Sequence, residues 1–218
     1  MSLPELTVTG LHAWLLPRVQ ALPNVSNDSR VLDLGCGTGA WLQRLGDSGF
    51  RDLTGIDRRR PDRFAVDANF ICADLDRVAS VELGTYHLVT AIEIVEHVAN
   101  PEALIALAAE HLEPDGWLIV TTPNIYSLRL RTRFFLTGKQ HGFDINYDPE
   151  HIHPMMLYAA QRVIFPRHNL EIARLLTYPE KGSHGSRWFA RLAERALSMI
   201  LPNQMPGDTL CLFLRKHQ

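Results

Sequence analysis

With 218 residues, 46% of them apolar and 21% charged, the chain has the composition of an ordinary folded domain. A chain of this length buries roughly 70% of its unfolded surface, so no metal or disulfide staple is required. The net charge of -2 argues against a general binder of nucleic acid or anionic membrane, while leaving room for a local basic patch.

Met1-Ser2-Leu3-Pro4-Glu5 has neither the basic start nor the apolar core of a secretory signal, and no uncharged stretch is long enough to span a bilayer, so a cytoplasmic protein is expected. Cys36, Cys72 and Cys211 are widely separated and odd in number, which suggests buried or near-buried thiols rather than disulfides or a zinc site. Leu11, Trp14, Leu15, Val19 and Leu22 fall at helical spacing and predict an N-terminal helix that Pro17 kinks or restarts. Val31-Leu32-Asp33-Leu34 followed by Gly35, Gly37 and Gly39 reads as a buried strand and a tight turn, with a helix from Ala40 to about Gly46. Glycine suits such a turn because it takes positive φ freely and lets a ligand approach the backbone. The helix start behind it offers unpaired N–H groups.

Leu53 to Asp57 predicts a second strand ending in a carboxylate, able to accept hydrogen bonds from two ribose hydroxyls. The Arg58-Arg59-Arg60 run after it reads first as a solvated loop. Phe70 to Leu75 is a third strand containing Asp74, which could also cap a helix near Asp76. Tyr86 to Ile92 is a fourth strand leading into Glu93-Ile94-Val95-Glu96-His97-Val98. Asn100 and Pro101 then open a helix running to Leu112. After a turn at 113–116, Trp117 to Thr122 is the fifth strand.

Residues 125–150 show no strong period and form a first insertion, in which Arg129, Arg131, Arg133 and Lys139 alternate with Leu128, Leu130, Phe134, Phe135 and Leu136. Its place after the fifth strand puts it over the carboxyl edge of the sheet, as a substrate wall or lid. His153-Pro154 predicts a helix start, with the helix reaching Phe165, and Leu170 to Tyr178 a sixth strand. A second insertion at about 180–206 carries Trp188, Phe189, Leu192, Met199 and Ile200 at helical spacing, with Arg187, Arg191 and Arg195 on another face. Core or dimer packing is the simpler use of it. Thr209 to Arg215 is a seventh strand.

Taken in order, the acid-glycine loop, Asp57, Asp74, the Glu93-x-x-Glu96-His97 turn and Pro123-Asn124 resemble class I S-adenosylmethionine-dependent methyltransferases. The turn is most similar to the small-molecule branch that includes ubiquinone-type O-methyltransferases. The resemblance implies one α/β domain over 1–218, a Rossmann-like seven-stranded mixed sheet with helices on both faces, its last strand antiparallel between the fifth and sixth. It implies a cofactor site of Asp33, Gly35, Cys36, Gly37, Gly39, Asp57, Arg58, Asp74, Leu75 and Glu93. Asp33 would face the methionine end, Asp57 the ribose, and Asp74 with Leu75 the adenine.

The implied reaction is methylation, more often on oxygen, of a small-molecule, glycan or lipid-linked acceptor. His151, His97 and His153 compete as the base, His151 being favoured because the Glu150-His151-Ile152-His153 segment is similar to one that approaches the acceptor in related enzymes. Glu93, Glu96 and His97 match the divalent-ion positions of ubiquinone-type relatives, although no metal is expected. Neither nucleic acid nor stable membrane insertion is expected, and the protein should be a monomer or homodimer. Gly35, Gly37 and Ala40 also satisfy a dinucleotide pattern, so an NAD(P)-dependent oxidoreductase is one alternative, and a catalytically silent cofactor-binding partner is another.

Overall fold

A computed structural model describes residues 3–62, 64, 67–77, 83–140, 142–143, 148–180 and 205–217. Seven strands form one sheet: β1 (Arg30–Leu34), β2 (Asp52–Asp57), β3 (Asn69–Cys72), β4 (Tyr86–Ile92), β5 (Leu112–Pro123), β6 (Leu170–Tyr178) and β7 (Thr209–Lys216). Their order is β3-β2-β1-β4-β5-β7-β6. The first five are parallel, while β7 runs antiparallel to both β5 and β6 between which it lies.

Alternation along the central strands divides the core between the two faces of the sheet. Leu32, Val89, Leu118 and Leu212 join one cluster with Leu104, Ile105 and Ala108 of helix α3 (Pro101–Glu110). Val31, Leu88, Ile119 and Phe213 join the other with helices α1 (Leu11–Gln20) and α2 (Ala40–Asp47). Both faces of the central strands are therefore apolar, and their sequences read as nearly continuous hydrophobic runs. Asn100 caps α3 through a 3.1 Å bond from the Ala103 amide, with Pro101 at the first helical position.

Several boundaries differ from expectation. Helix α1 passes through Pro17 without a break and ends at Gln20. β3 stops at Cys72, leaving Asp74 and Leu75 in the loop beyond it, and β5 starts at Leu112, its irregularity opposite Tyr86 and Leu88 absorbing the expected turn. The first insertion contains a regular helix, α4 (Leu128–Thr137), capped by Ser127. No period announces it because only Leu128 and Leu130 of its ten residues are buried.

Helix α5 (Leu157–Ala159) begins later than His153. The amides of Ile152 and His153 instead donate to the carbonyl oxygen of Glu96 at 2.9 and 3.1 Å, holding this stretch out of the helix. A π-helical turn at Ala160–Ile164 then leads into α6 (Phe165–Arg167). Cys36 and Cys211 are buried as expected, but Cys72 at the edge strand is exposed. The predicted helix in the second insertion lies outside the described residues, as does part of the one near Asp76.

Candidate active site

The glycine turn between β1 and α2 is built from backbone. The amides of Gly35 and Cys36 both donate to the carbonyl of Ile56, at 2.8 and 3.0 Å, tying the turn to β2. Gly35, Gly37 and Gly39 have φ of 74°, 51° and 79°, the left-handed region in which a side chain costs energy. At Gly35 a Cβ would also lie 2.5 Å from Cγ1 of Ile94. Cys36 turns its side chain inward toward Gly55, where a Cβ would meet Sγ at 2.7 Å. Cys36 thus reaches a ligand only through its backbone.

Asp57, at the end of β2, accepts a 2.9 Å hydrogen bond from the Gly37 amide through Oδ2. That bond fixes the turn against the carboxyl edge of the sheet. Asp33 is buried and accepts a 2.6 Å bond from the Thr90 hydroxyl of β4. Burial raises its carboxyl to about 7, against the opposing pull of Thr90 and with help from the nearby charge of Asp57.

Other expected cofactor residues have local partners. Arg58 makes a two-pronged bond to Glu150, at 2.9 and 3.0 Å, so it ties the histidine segment to β2. Asp74 is exposed, accepts a 3.1 Å bond from the Asp76 amide and caps a turn there; Leu75 is half-buried against the core. From the N-terminal side, the Thr38 hydroxyl donates to the Pro4 carbonyl at 2.7 Å and the Leu3 amide to Oε1 of Gln43 at 2.8 Å, laying residues 3–6 against the glycine turn. Trp14 packs on Tyr178 at 5.4 Å between ring centroids, under the Arg18 guanidinium.

The turn after β4 gathers the reactive groups. Glu93 stands at φ 51°, held by bonds from its amide to the Thr121 hydroxyl at 3.0 Å and carbonyl at 3.1 Å. Burial raises its carboxyl to about 7. Glu96 is sealed from solvent with neither carboxyl oxygen hydrogen-bonded, and burial together with the charge of Glu93 holds it well above the usual carboxylate range.

His97 and His151 meet edge to face, with ring centroids 4.6 Å apart. Burial, then the neighbouring His151, lowers His97 below the usual imidazole value. Nδ1 of His151 lies 2.9 Å from the carbonyl oxygen of Gly142. A carbonyl only accepts, so Nδ1 is the donor to it, and in the neutral ring Nε2 is the nitrogen left with the lone pair. His153 is exposed and joins the site through its backbone alone.

One ligand atom each from Glu96, His97 and His151 lies within 4.8 Å of the others, a set able to hold a metal ion. This set has His151 where the sequence pattern offers Glu93, whose carboxylate is engaged by Thr121. Thr90 and Thr121 belong to no motif in the sequence; their one local signal is that they are polar residues inside apolar strand runs. Along α4, a cavity of about 710 Å³ is lined chiefly by Ile125, Leu128, Leu130, Phe134, Phe135 and Met156, with Arg131 among its few polar members.

Residues 12–174 match the family described as a methyltransferase domain. The ubiquinone biosynthesis O-methyltransferase of Bordetella avium (strain 197N) is 30% identical over 133 residues, covering 56% of this chain and 55% of that protein. The chain thus spans about half the length of the curated relatives it matches. Among solved structures, a SAM dependent methyltransferase from Archaeoglobus fulgidus superposes with a TM-score of 0.66 at 17% identity, over 94% of this chain and 93% of that one. The plantazolicin methyltransferase BpumL, in complex with a triazolic desmethylPZN analog and SAH, gives 0.63 at 19% identity, over 96% and 86%. These structural likenesses establish the shared fold.

Proposed function

This chain belongs to the methyltransferase-domain family, and from that premise we propose that it moves the methyl group of S-adenosylmethionine onto a hydroxyl oxygen of a small acceptor with an apolar body. One observation carries the reading: a positive-φ glycine turn clamped to Asp57 shares the carboxyl edge of the sheet with an imidazole whose tautomer is fixed. A Cβ at Gly35 would meet the Ile94 side chain, so the turn keeps a bare backbone there, which suits close approach by the cofactor.

When bound, the sulfonium supplies an already activated methyl group. The residues of the chain hold and align the reactants. Asp57 accepts from ribose hydroxyls, the glycines bring backbone close to the sugar, and Asp74 with Leu75 flanks the adenine. Asp33 faces the cationic methionine end. Nε2 of His151 takes the hydroxyl proton of the acceptor as its oxygen becomes the nucleophile, and Gly142 keeps Nδ1–H in place. Alignment contributes roughly 7 to 11 kcal/mol, and a positioned base about 10² to 10⁴ in rate. The apolar cavity walled by α4 receives the acceptor's body.

Transfer of labelled methyl from S-adenosylmethionine to a panel of hydroxylated amphiphiles tests the activity, and calorimetry with S-adenosylhomocysteine tests the site. Binding of NAD in place of S-adenosylhomocysteine would restore the oxidoreductase alternative. Cofactor binding without transfer to any acceptor would favour the silent partner.

This reading needs no metal. A second one is favoured by Glu96, buried with two unpaired oxygens beside two imidazoles: Glu96, His97 and His151 would hold a divalent cation, which would supply Lewis-acid chemistry toward an acceptor oxygen. Loss of activity in chelator with recovery on adding magnesium or zinc supports it, and indifference to chelator removes it.

A further inference from the structure

We propose that Arg58 and Glu150 are positioning residues whose ion pair clasps the His151 segment across the crevice above the glycine turn. The clasp retains the nucleoside cofactor and sets the base over it, and in that respect it rests on the methyl-transfer reading above. Nη2 of Arg58 donates to both carboxylate oxygens of Glu150, at 2.9 and 3.0 Å, across 92 positions of sequence. Each partner adjoins a residue of the site: Arg58 follows Asp57, the last residue of β2, and Glu150 precedes His151.

Sheet order turns that contact into a crossing. β1 lies between β2 and β4, and the glycine turn leaves from its carboxyl end. On the β4 side, the 150–153 segment is held by the bonds from Ile152 and His153 to the Glu96 carbonyl; on the β2 side it is held by Arg58. A short stretch fastened to both neighbours of β1 passes over the end of β1. Asp148 braces it, its Oδ1 accepting from the Glu150 amide at 2.9 Å and its carbonyl from the His151 amide at 3.1 Å. The Arg58 guanidinium is held above its ordinary pKa by Glu150 first, and also by Asp57 and Asp74. The cation that reaches for the histidine segment thus stands among the acids proposed for ribose and adenine. Both side chains of the pair are 58% exposed. An exposed pair is weak and is screened by salt, which suits a clasp that opens whenever cofactor enters or product leaves.

Arg58→Gln, Glu150→Gln, their combination, and the swapped pair Arg58→Glu with Glu150→Arg test the clasp. In the full chain without ligand, exchange of the Ile152 and His153 amides, followed by NMR, should quicken about two- to fivefold in either single variant. High salt should do the same to the wild type, while the Gly35 amide, bonded to Ile56, keeps its rate. S-adenosylhomocysteine should dissociate faster by a similar factor, the combined Gln variant should be no worse than either single one, and the swapped pair should recover part of both losses. Unchanged exchange at 152–153, additive losses in the combined variant, or a swap no better than the single variants would each overturn the proposal. Weakened S-adenosylhomocysteine binding in Arg58→Gln but not in Glu150→Gln would assign Arg58 to direct contact with the cofactor and also overturn it. A wild type that binds no S-adenosylhomocysteine would show in calorimetry as failure of the methyl-transfer reading, and amide exchange would then decide the clasp by itself.

Discussion

The amide of Gly37 donates to Oδ2 of Asp57 across 2.9 Å, joining the glycine turn to the end of the neighbouring strand. The carboxylate we propose for the ribose thus also sets the shape of the loop beside it. Asp57→Ala should weaken S-adenosylhomocysteine binding on the order of 10- to 100-fold, the range for losing hydrogen bonds to a charged acceptor. Asp57→Asn retains one acceptor oxygen and should recover part of the loss. Calorimetry reads both.

Gly35→Ala combines a left-handed φ of 74° with a Cβ placed 2.5 Å from Ile94. Its expected cost is about 1 to 3 kcal/mol of stability, seen as a lowered melting temperature, with loss of cofactor binding. Adding Ile94→Ala removes the clash and leaves the backbone strain, so the double variant should recover only part of the melting temperature.

Asp33 gives a pH dependence whose sign follows from its raised carboxyl. The folded protein holds this proton up to about pH 7, while the unfolded chain releases it near pH 4. Stability without cofactor should therefore fall as pH rises from about 4 to 7 and level off above. Glu93 and Glu96 contribute in the same direction. Asp33→Asn should reduce the slope and raise the melting temperature at pH 8, while weakening cofactor binding because the cationic methionine end favours the ionised acid. A melting series from pH 5 to 8 checks this.

His151→Gln should reduce kcat about 10² to 10⁴-fold, abolish the limb of the pH-rate profile that reports the base, and leave S-adenosylhomocysteine affinity within a few-fold. His153→Ala should keep most of the activity, because that side chain is exposed and only its amide is used. Equal losses in the two variants would remove His151 from the role of base.

The elements legible in the sequence were those whose pattern is local. Asn100-Pro101 marks a helix start wherever it occurs, and runs such as Leu88 to Ile92 can be buried on both faces only inside a covered sheet. Helix α4 was not legible, because most of its apolar side chains face outward and produce no periodic stripe. The non-helical conformation at His153 was equally hidden, since the carbonyl of Glu96 that holds it lies more than fifty residues earlier.

By itself, then, the sequence determined the strand and glycine turn at Val31 to Gly39, the acid ending β2 and the family to which they point, because glycine conformation and apolar alternation act over a few residues. Only the tertiary structure decided which histidine stands in the site. His97 and His151 are brought to 4.6 Å by backbone bonds from Ile152 and His153 to Glu96, and Glu93 is turned to Thr121 on the adjoining strand. Those are contacts between distant segments, and sheet order, not spacing along the chain, sets them.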